Sequence, residues 1–241
     1  MHQAQGHERN CFITLTYSDA NLPPNNSLNH RDFQLFVKRT RKKIDLTYYM
    51  CGEYGEETER PHYHACIFNY DYPDRKYLKK SAAGAKIYTS DELEKTWGLG
   101  NISVQDLNNQ TASYCTRYIM QKALGENAET AYQVIDPETG EITQRKPPYN
   151  AMSKGLGRAW LLKYGADVYT HDVVISRGQE RRPPKYYDRL LKSGLVHFDK
   201  DAIDQARIER AKLSAHENTD ERRRVREVVH QARVKHLKRT L

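Results

Sequence analysis

The sequence predicts a mixed α+β fold built on an antiparallel sheet and ending in a basic helical tail. Three observations carry that reading. Short segments rich in β-branched and aromatic residues recur through the first hundred positions, two of them joined by a turn-forming stretch. Segments with apolar residues at helical spacing lie between and after them. From Tyr186 onward the pattern is helical, and its last part is strongly cationic.

Cys11 to Tyr17 (CFITLTY) reads as the first strand, followed by a Pro/Asn loop from Asn21 to Asn29. Residues 30–43 read as a helix, with Phe33, Phe36 and Val37 on one face and Lys38, Arg39, Arg41, Lys42 and Lys43 on the others. Leu46 to Cys51 and Tyr63 to Phe68 are the next two strands. The Gly- and Glu-rich segment between them, closed by Arg60-Pro61, has the chemistry of a hairpin turn. A short helix over Ser90 to Trp97, with Ser90 as N-cap, precedes a strand over Leu99 to Val104. Asn109 to Leu124 is a further helix, stopped by Gly125. The polar, Pro- and Gly-containing residues 126–155 read as a loop or boundary. Gly157 to Tyr164 reads as a short helix, and Asp172 to Ser176 with the Arg177-Gly178 turn as a final hairpin edge. The helical tail breaks near Ser193-Gly194, and from Glu221 it carries Arg222, Arg223, Arg224, Arg226, Arg233, Lys235, Lys238 and Arg239. These elements divide into a domain over residues 1–190 and a basic tail over 191–241.

The chain of 241 residues is long enough to bury a substantial core. Its formal net charge of +8 favours a polyanionic partner, nucleic acid first, although an anionic membrane surface fits the charge equally well. The four cysteines, Cys11, Cys51, Cys66 and Cys115, show no CxxC spacing and sit in apolar runs, so buried free thiols are expected. No segment has the length of a membrane span and the first twenty residues lack a signal-peptide pattern, so a cytoplasmic protein is expected.

Two local patterns carry chemistry. His62 and His64 flank one position of a strand and therefore point to the same side, where both can reach one cation. Glu53, across the hairpin, is the best candidate for a third ligand, with Glu56, Glu57 and Glu59 in the turn; Mn, Mg or Zn would suit such a set. Tyr114 and Tyr118 lie one helical turn apart, and Lys122 continues their stripe. A phenol, with a pKa of about 10, is a poor nucleophile at neutral pH and needs a cation on the phosphate it attacks. Each pattern has a plainer reading: histidines alternating on a half-buried strand, and aromatics packing a helix into a core. Occurring together and in this order, they favour metal-assisted cleavage of DNA by tyrosine.

The stretches Phe12 to Tyr17, Gly52 to Gly55 with Arg60 to His64, and Tyr114 to Lys122 resemble the HUH endonuclease superfamily. The resemblance is nearest to the rolling-circle replication initiators of microviruses, especially the gokushovirus branch. It extends more weakly through Arg158 to Leu161 and Arg182 to Asp188. It implies a central antiparallel sheet of about five strands flanked by helices, with a metal (Mg²⁺ or Mn²⁺) on its central strands. It also implies nicking of the viral strand at the replication origin, a 5′-phosphotyrosine intermediate and rejoining of the ends. Carried onto this chain, His62 and His64 match the metal-binding pair, Tyr114 and Tyr118 the nucleophiles, and Lys122 the lysine that follows them. Gln121 departs from a lysine common in relatives, and Glu53 matches the acidic residue of the GEYG segment. Relatives often carry further residues ahead of the first strand, and this chain begins close to it. The implied partners are single-stranded and origin DNA, with host helicase and DNA polymerase, in the cytoplasm of a bacterial host.

Arg60 and Arg117, beside the motifs, and Lys38, Arg39 and Arg41 are the candidate DNA contacts. No Gly-x-x-x-x-Gly-Lys-Ser/Thr loop is present, so unwinding would fall to a partner. A plasmid initiator or two-tyrosine transposase would use the same chemistry. A non-catalytic nucleic-acid-binding protein would use the histidines and tyrosines for packing and stacking.

Overall fold

The structure, a computed structural model, describes residues 1–55, 58–120, 130–135 and 139–236, excluding the side chains of 117–120 and 235. It forms two compact units, Met1–Leu156 and Gly157 onward.

The strands of the first unit are β1 (Asn10–Thr16), β2 (Thr47–Tyr54), β3 (Pro61–Phe68), β4 (Lys76–Lys80), β5 (Lys86–Thr89) and β6 (Ile102–Asp106). They are followed by β7 (Gln133–Ile135), β8 (Ile142–Gln144) and β9 (Tyr149–Met152). Seven of these make one antiparallel sheet in the order β4-β5-β6-β1-β3-β2-β9, and β7 pairs with β8 separately. The architecture is the expected α+β one, with more than the expected five strands because short strands extend both edges. β4 has all five residues exposed and three lysines among them, a composition that discourages pairing with a second chain.

Alternation along the central strands creates two unlike faces. Cys11, Ile13 and Leu15 of β1 share one face with Met50, Tyr63, Ala65 and Ile67. Helix α2 (His30–Arg41) covers that face with Phe33, Phe36 and Val37, and α3 (Asp91–Trp97) adds Leu93 and Trp97. Asn29 caps α2 through its side chain, and Ser90 caps α3 as the sequence predicts, its Oγ accepting from Leu93 N at 3.1 Å. The opposite face carries Phe12, Cys51, Cys66 and Phe68, and α4 (Asn109–Met120) packs there through Tyr114 and Cys115. Asn108 starts α4: its Oδ1 accepts from Gln110 N and Thr111 N, while Thr111 Oγ1 accepts from Asn108 N. A four-residue helix, α1 (His2–Gln5), precedes β1. The β6–β1 junction requires a glycine. A Cβ at Gly100 (φ +150°) would lie 2.2 Å from Ser18 N, where Thr16 N and Ser18 N donate to Asn101 O and Leu99 O.

The loop expected over residues 126–155 needs correction. Its described residues hold the β7–β8 hairpin and β9, which pairs Tyr149 to Met152 with Gly52 to Tyr49. These strands have three or four residues each, and β9 exists because β2 has an edge free to hydrogen-bond it.

In the second unit, α5 (Arg158–His171) runs past the expected end at Tyr164. The hairpin of β10 (Val174–Ser176) and β11 (Gln179–Arg181) turns at Arg177-Gly178, both at positive φ, as the sequence predicts. Three helices follow, α6 (Lys185–Lys192), α7 (Lys200–Leu213) and α8 (Asp220–Lys235). Leu161, Val168, Tyr169, Val174, Tyr187, Leu191 and Ile203 form the core of this unit. Arg207 ties it together electrostatically, donating to both Asp172 and Asp188. The described side chains of α8 are all exposed.

Candidate active site

The β2–β3 register sets Glu53 directly opposite His62 and Cys51 opposite His64, while β1 sets Thr14 opposite His64 and Thr16 opposite His62. Because these positions share one face, Glu53, His62 and His64 bring one ligand atom each to within 4.8 Å of one another. Glu53 Oε1 lies 3.0 Å from His62 Nε2 and 2.9 Å from His64 Nε2. Glu53 and His64 are 1% and 5% exposed, so a carboxylate and an imidazole meet in a nearly dry site. The third ligand foreseen across the hairpin is therefore where the sequence puts it.

The hydrogen bonds around the triad define what it lacks. His62 Nδ1 is 3.0 Å from Arg60 O. A carbonyl only accepts, so this nitrogen carries the proton and the neutral ring turns its Nε2 lone pair to Glu53. His64 Nδ1 is 2.9 Å from Thr14 Oγ1. Burial holds the His64 pKa below the ordinary histidine value, against the pull of the Glu53 carboxylate. Burial acts to raise the Glu53 pKa, but the two histidines outweigh it and keep the carboxyl below its usual range. His64 Nε2 makes no aligned hydrogen bond, and Glu53 Oε2 has no hydrogen-bond partner among the described residues. An ionised carboxylate facing imidazole lone pairs, with buried acceptor capacity to spare, is a donor set compatible with a divalent cation.

Helix α4 delivers the first tyrosine to this centre. The Tyr114 hydroxyl donates to Glu53 Oε1 at 3.3 Å, its ring meets the His64 ring edge-on at 4.8 Å, and the residue is 9% exposed. Tyr118 and Arg117 belong to the same helix, but their side chains, like all of Lys122, Glu56 and Glu57, lie outside the described residues.

The other predicted cations sit elsewhere. Arg60 donates to Tyr17 O at 2.8 Å and pairs with Asp19, bracing the start of β3 against the end of β1. Lys38, Arg39 and Arg41 belong to α2, on the opposite sheet face from the triad. Arg39 donates to Thr96 O and Trp97 O, closing the C-terminus of α3, and Arg41 donates to Leu46 O and Ser153 Oγ. Lys38 is exposed and lines a shallow groove of about 350 Å³ with Gln34, Arg41 and Tyr48. Thr14 is the site residue that sequence reasoning missed. Its only signal is a register that places it opposite His64, which cannot be read before the strands are paired. All four cysteines are free and buried, as expected.

Residues 10–123 match the family model for the replication-associated protein ORF2 and its gene-II-protein relatives. Over 204 residues the chain is 32% identical to replication-associated protein VP4 of Bdellovibrio phage phiMH2K, covering 79% of this chain and 60% of that protein. It is 31% identical to replication-associated protein ORF2 of Spiroplasma virus 4, covering 76% and 58%. Against replication-associated protein ORF4 of Chlamydia phage 1 it is 24% identical, covering 79% and 48%. The chain thus spans about half to three-fifths of the length of these relatives. No solved structure matches. No described helix is long and apolar enough to cross a membrane. With the motif-bearing strands and α4 inside the matched region, the chain belongs, over those residues, to this family of replication-associated proteins.

Proposed function

We propose that this chain nicks single-stranded DNA at the replication origin of a small circular phage genome and rejoins the ends, initiating rolling-circle replication in a bacterial host. The supporting observation is the Tyr114 hydroxyl resting 3.3 Å from Glu53 Oε1, beside a paired-histidine donor set. A nucleophile and a cation site are thereby within one phosphate's reach of each other.

Glu53, His62 and His64 would hold the cation, Mg²⁺ or Mn²⁺, which when bound supplies positive charge to the scissile phosphate. Tyr114 Oη attacks phosphorus, forming the P–Oη bond as the P–O3′ bond breaks. The phenolic proton leaves towards the Glu53 side, where its hydrogen bond already points, and the departing 3′ oxygen takes a proton from solvent. Burial of Glu53 and His64 limits water at the reacting bond, which protects the phosphotyrosine ester from hydrolysis. The freed 3′-hydroxyl can prime synthesis, and its later attack on a phosphotyrosine restores the phosphodiester without outside energy. Tyr118, one turn along α4, would serve the second transfer, with Lys122 as a neighbouring cation. Arg117 and exposed cations such as Lys38 would hold phosphates, and unwinding and synthesis would fall to host helicase and DNA polymerase.

The test is incubation of the protein with end-labelled single-stranded origin DNA, with and without Mn²⁺ or Mg²⁺, on denaturing gels before and after proteinase. Metal-dependent cleavage with a protease-sensitive shifted band, lost in His64→Ala, supports the nickase. Binding with no cleavage under any metal would leave only a non-catalytic DNA-binding protein.

A further inference from the structure

We infer that Thr14 is a positioning residue of the metal centre: its hydroxyl holds His64 in the ring orientation and tautomer that present Nε2 to a cation shared with Glu53 and His62. The inference rests on the metal-centre reading above.

The argument begins with what packing cannot do. The His64 ring stacks on Phe12 at 5.5 Å and 15°, and meets Tyr114 edge-on at 4.8 Å. These contacts fix the plane of the ring, yet they are nearly blind to a half-turn about Cβ–Cγ, which exchanges Nδ1 with Cδ2 and Cε1 with Nε2. Only a polar partner distinguishes the two orientations. Thr14 Oγ1, 2.9 Å from Nδ1, is the partner present. When Nδ1–H donates to that oxygen, the neutral ring has its lone pair on Nε2, 2.9 Å from Glu53 Oε1.

The two histidines are anchored by different devices. His62 Nδ1 is held by the Arg60 carbonyl, which no side-chain substitution removes. His64 Nδ1 is held by a side chain, so its anchor can be deleted. Thr16 supplies an internal control. It occupies the same face of β1 opposite His62, whose Nδ1 is already satisfied by backbone. Partners of this kind typically contribute 10–100-fold in metal affinity.

Mn²⁺ binding to the purified full chain, followed by the electron paramagnetic resonance signal of free Mn²⁺, tests the inference without relying on activity. Thr14→Val, nearly isosteric, should weaken binding by about 10-fold or more. Thr14→Ser and Thr16→Val should stay within about threefold of the original. At saturating Mn²⁺ the Thr14→Val cleavage rate should recover, since the defect lies in occupancy. Melting in EDTA shows whether the variant has folded. Unchanged Mn²⁺ affinity in folded Thr14→Val, with binding lost in His64→Ala, would overturn the role of Thr14 and leave the metal centre standing. Equal weakening in the valine and serine variants would show that the hydroxyl is not the determinant. No Mn²⁺ binding by the original chain above the His64→Ala background would remove both readings.

Discussion

Tyr63 lies between the two histidines in sequence but on the other face of β3, so Tyr63→Phe should weaken the fold and spare the chemistry. The Tyr63 hydroxyl accepts from Asn29 N at 2.9 Å and lies 2.8 Å from Asn29 O and 2.9 Å from the Tyr17 hydroxyl. Tyr17 also reaches Asp32 Oδ2 at 2.8 Å, so two phenolic protons serve three acceptors in a buried network. Deleting one oxygen leaves Asn29 N–H without this acceptor and breaks the link to Tyr17. At about 1 kcal/mol for each hydrogen bond, with more for a buried orphan, the loss is about 2–4 kcal/mol. For a chain of this length that lowers Tm by on the order of 10 °C. Burial pushes the Tyr63 phenol up to about 12, against hydrogen bonds from Tyr17 and Asn29 that lower it. A raised folded-state pKa gives stability that is complete below the unfolded value of about 10 and is lost as pH climbs towards the folded value. The Tm deficit of Tyr63→Phe should therefore be largest at neutral pH and shrink between about pH 10 and the folded value of about 12. Thermal denaturation followed by circular dichroism across that range, with cleavage assayed at room temperature, reads both effects. An unchanged Tm, or a tenfold loss of cleavage by the folded variant, would refute the two-faced account of β3.

Other perturbations separate the remaining parts. Mn²⁺ at about one hundred times its Kd should stabilise the chain by about 2.7 kcal/mol, seen as a rise in Tm that EDTA reverses and His64→Ala abolishes; an equal rise in both proteins would dissociate the ion from the triad. Gly100→Ala should cost upwards of about 3 kcal/mol, because the new methyl meets the backbone of Ser18 and Thr16; a Tm within about 2 °C of the original would contradict the tight β6–β1 junction. Burial works to raise the Asp172 pKa, but hydrogen bonds from Arg207 and Arg210 outweigh it and hold the carboxyl below its usual range. The stability this adds is present above the unfolded value of about 3.9 and lost as pH falls through the folded one. Asp172→Asn, which keeps a residue tolerant of φ +53°, should thus destabilise at neutral pH but have little effect at about pH 2 in urea titrations; equal losses at both would argue against an ionic role.

The residues that form the site were legible because strand period and hairpin pairing are local rules. Once Leu46 to Cys51 and Tyr63 to Phe68 are read as a hairpin, Glu53 falls opposite His62 with little freedom. The Ser90 cap and the Arg177-Gly178 turn follow from equally short-range chemistry. What escaped depends on long-range contacts. β9 is a strand because the β2 edge pairs with it, and Asn150 to Met152 carry no β-branched residue to announce it. Arg39 and Arg41 look like phosphate-binding cations in a one-dimensional helix. In three dimensions their guanidiniums bond carbonyls of residues 57 and 5 positions away. Thr14 gains its importance from a partner 50 positions distant.

Trypsin offers a direct test of which atom attacks. Arg117 lies between the two tyrosines, so digestion places Tyr114 in peptide 96–117 and Tyr118 in peptide 118–122. A suicide substrate cleaved by the full chain in Mn²⁺, then reduced by nuclease and trypsin to a nucleotide-bearing peptide, can be assigned by mass spectrometry. First-turnover adduct on peptide 96–117, absent from Tyr114→Phe, is the result predicted by the contact between Tyr114 and Glu53. Adduct confined to 118–122, or a Tyr114→Phe protein that captures DNA at the original rate, would contradict it.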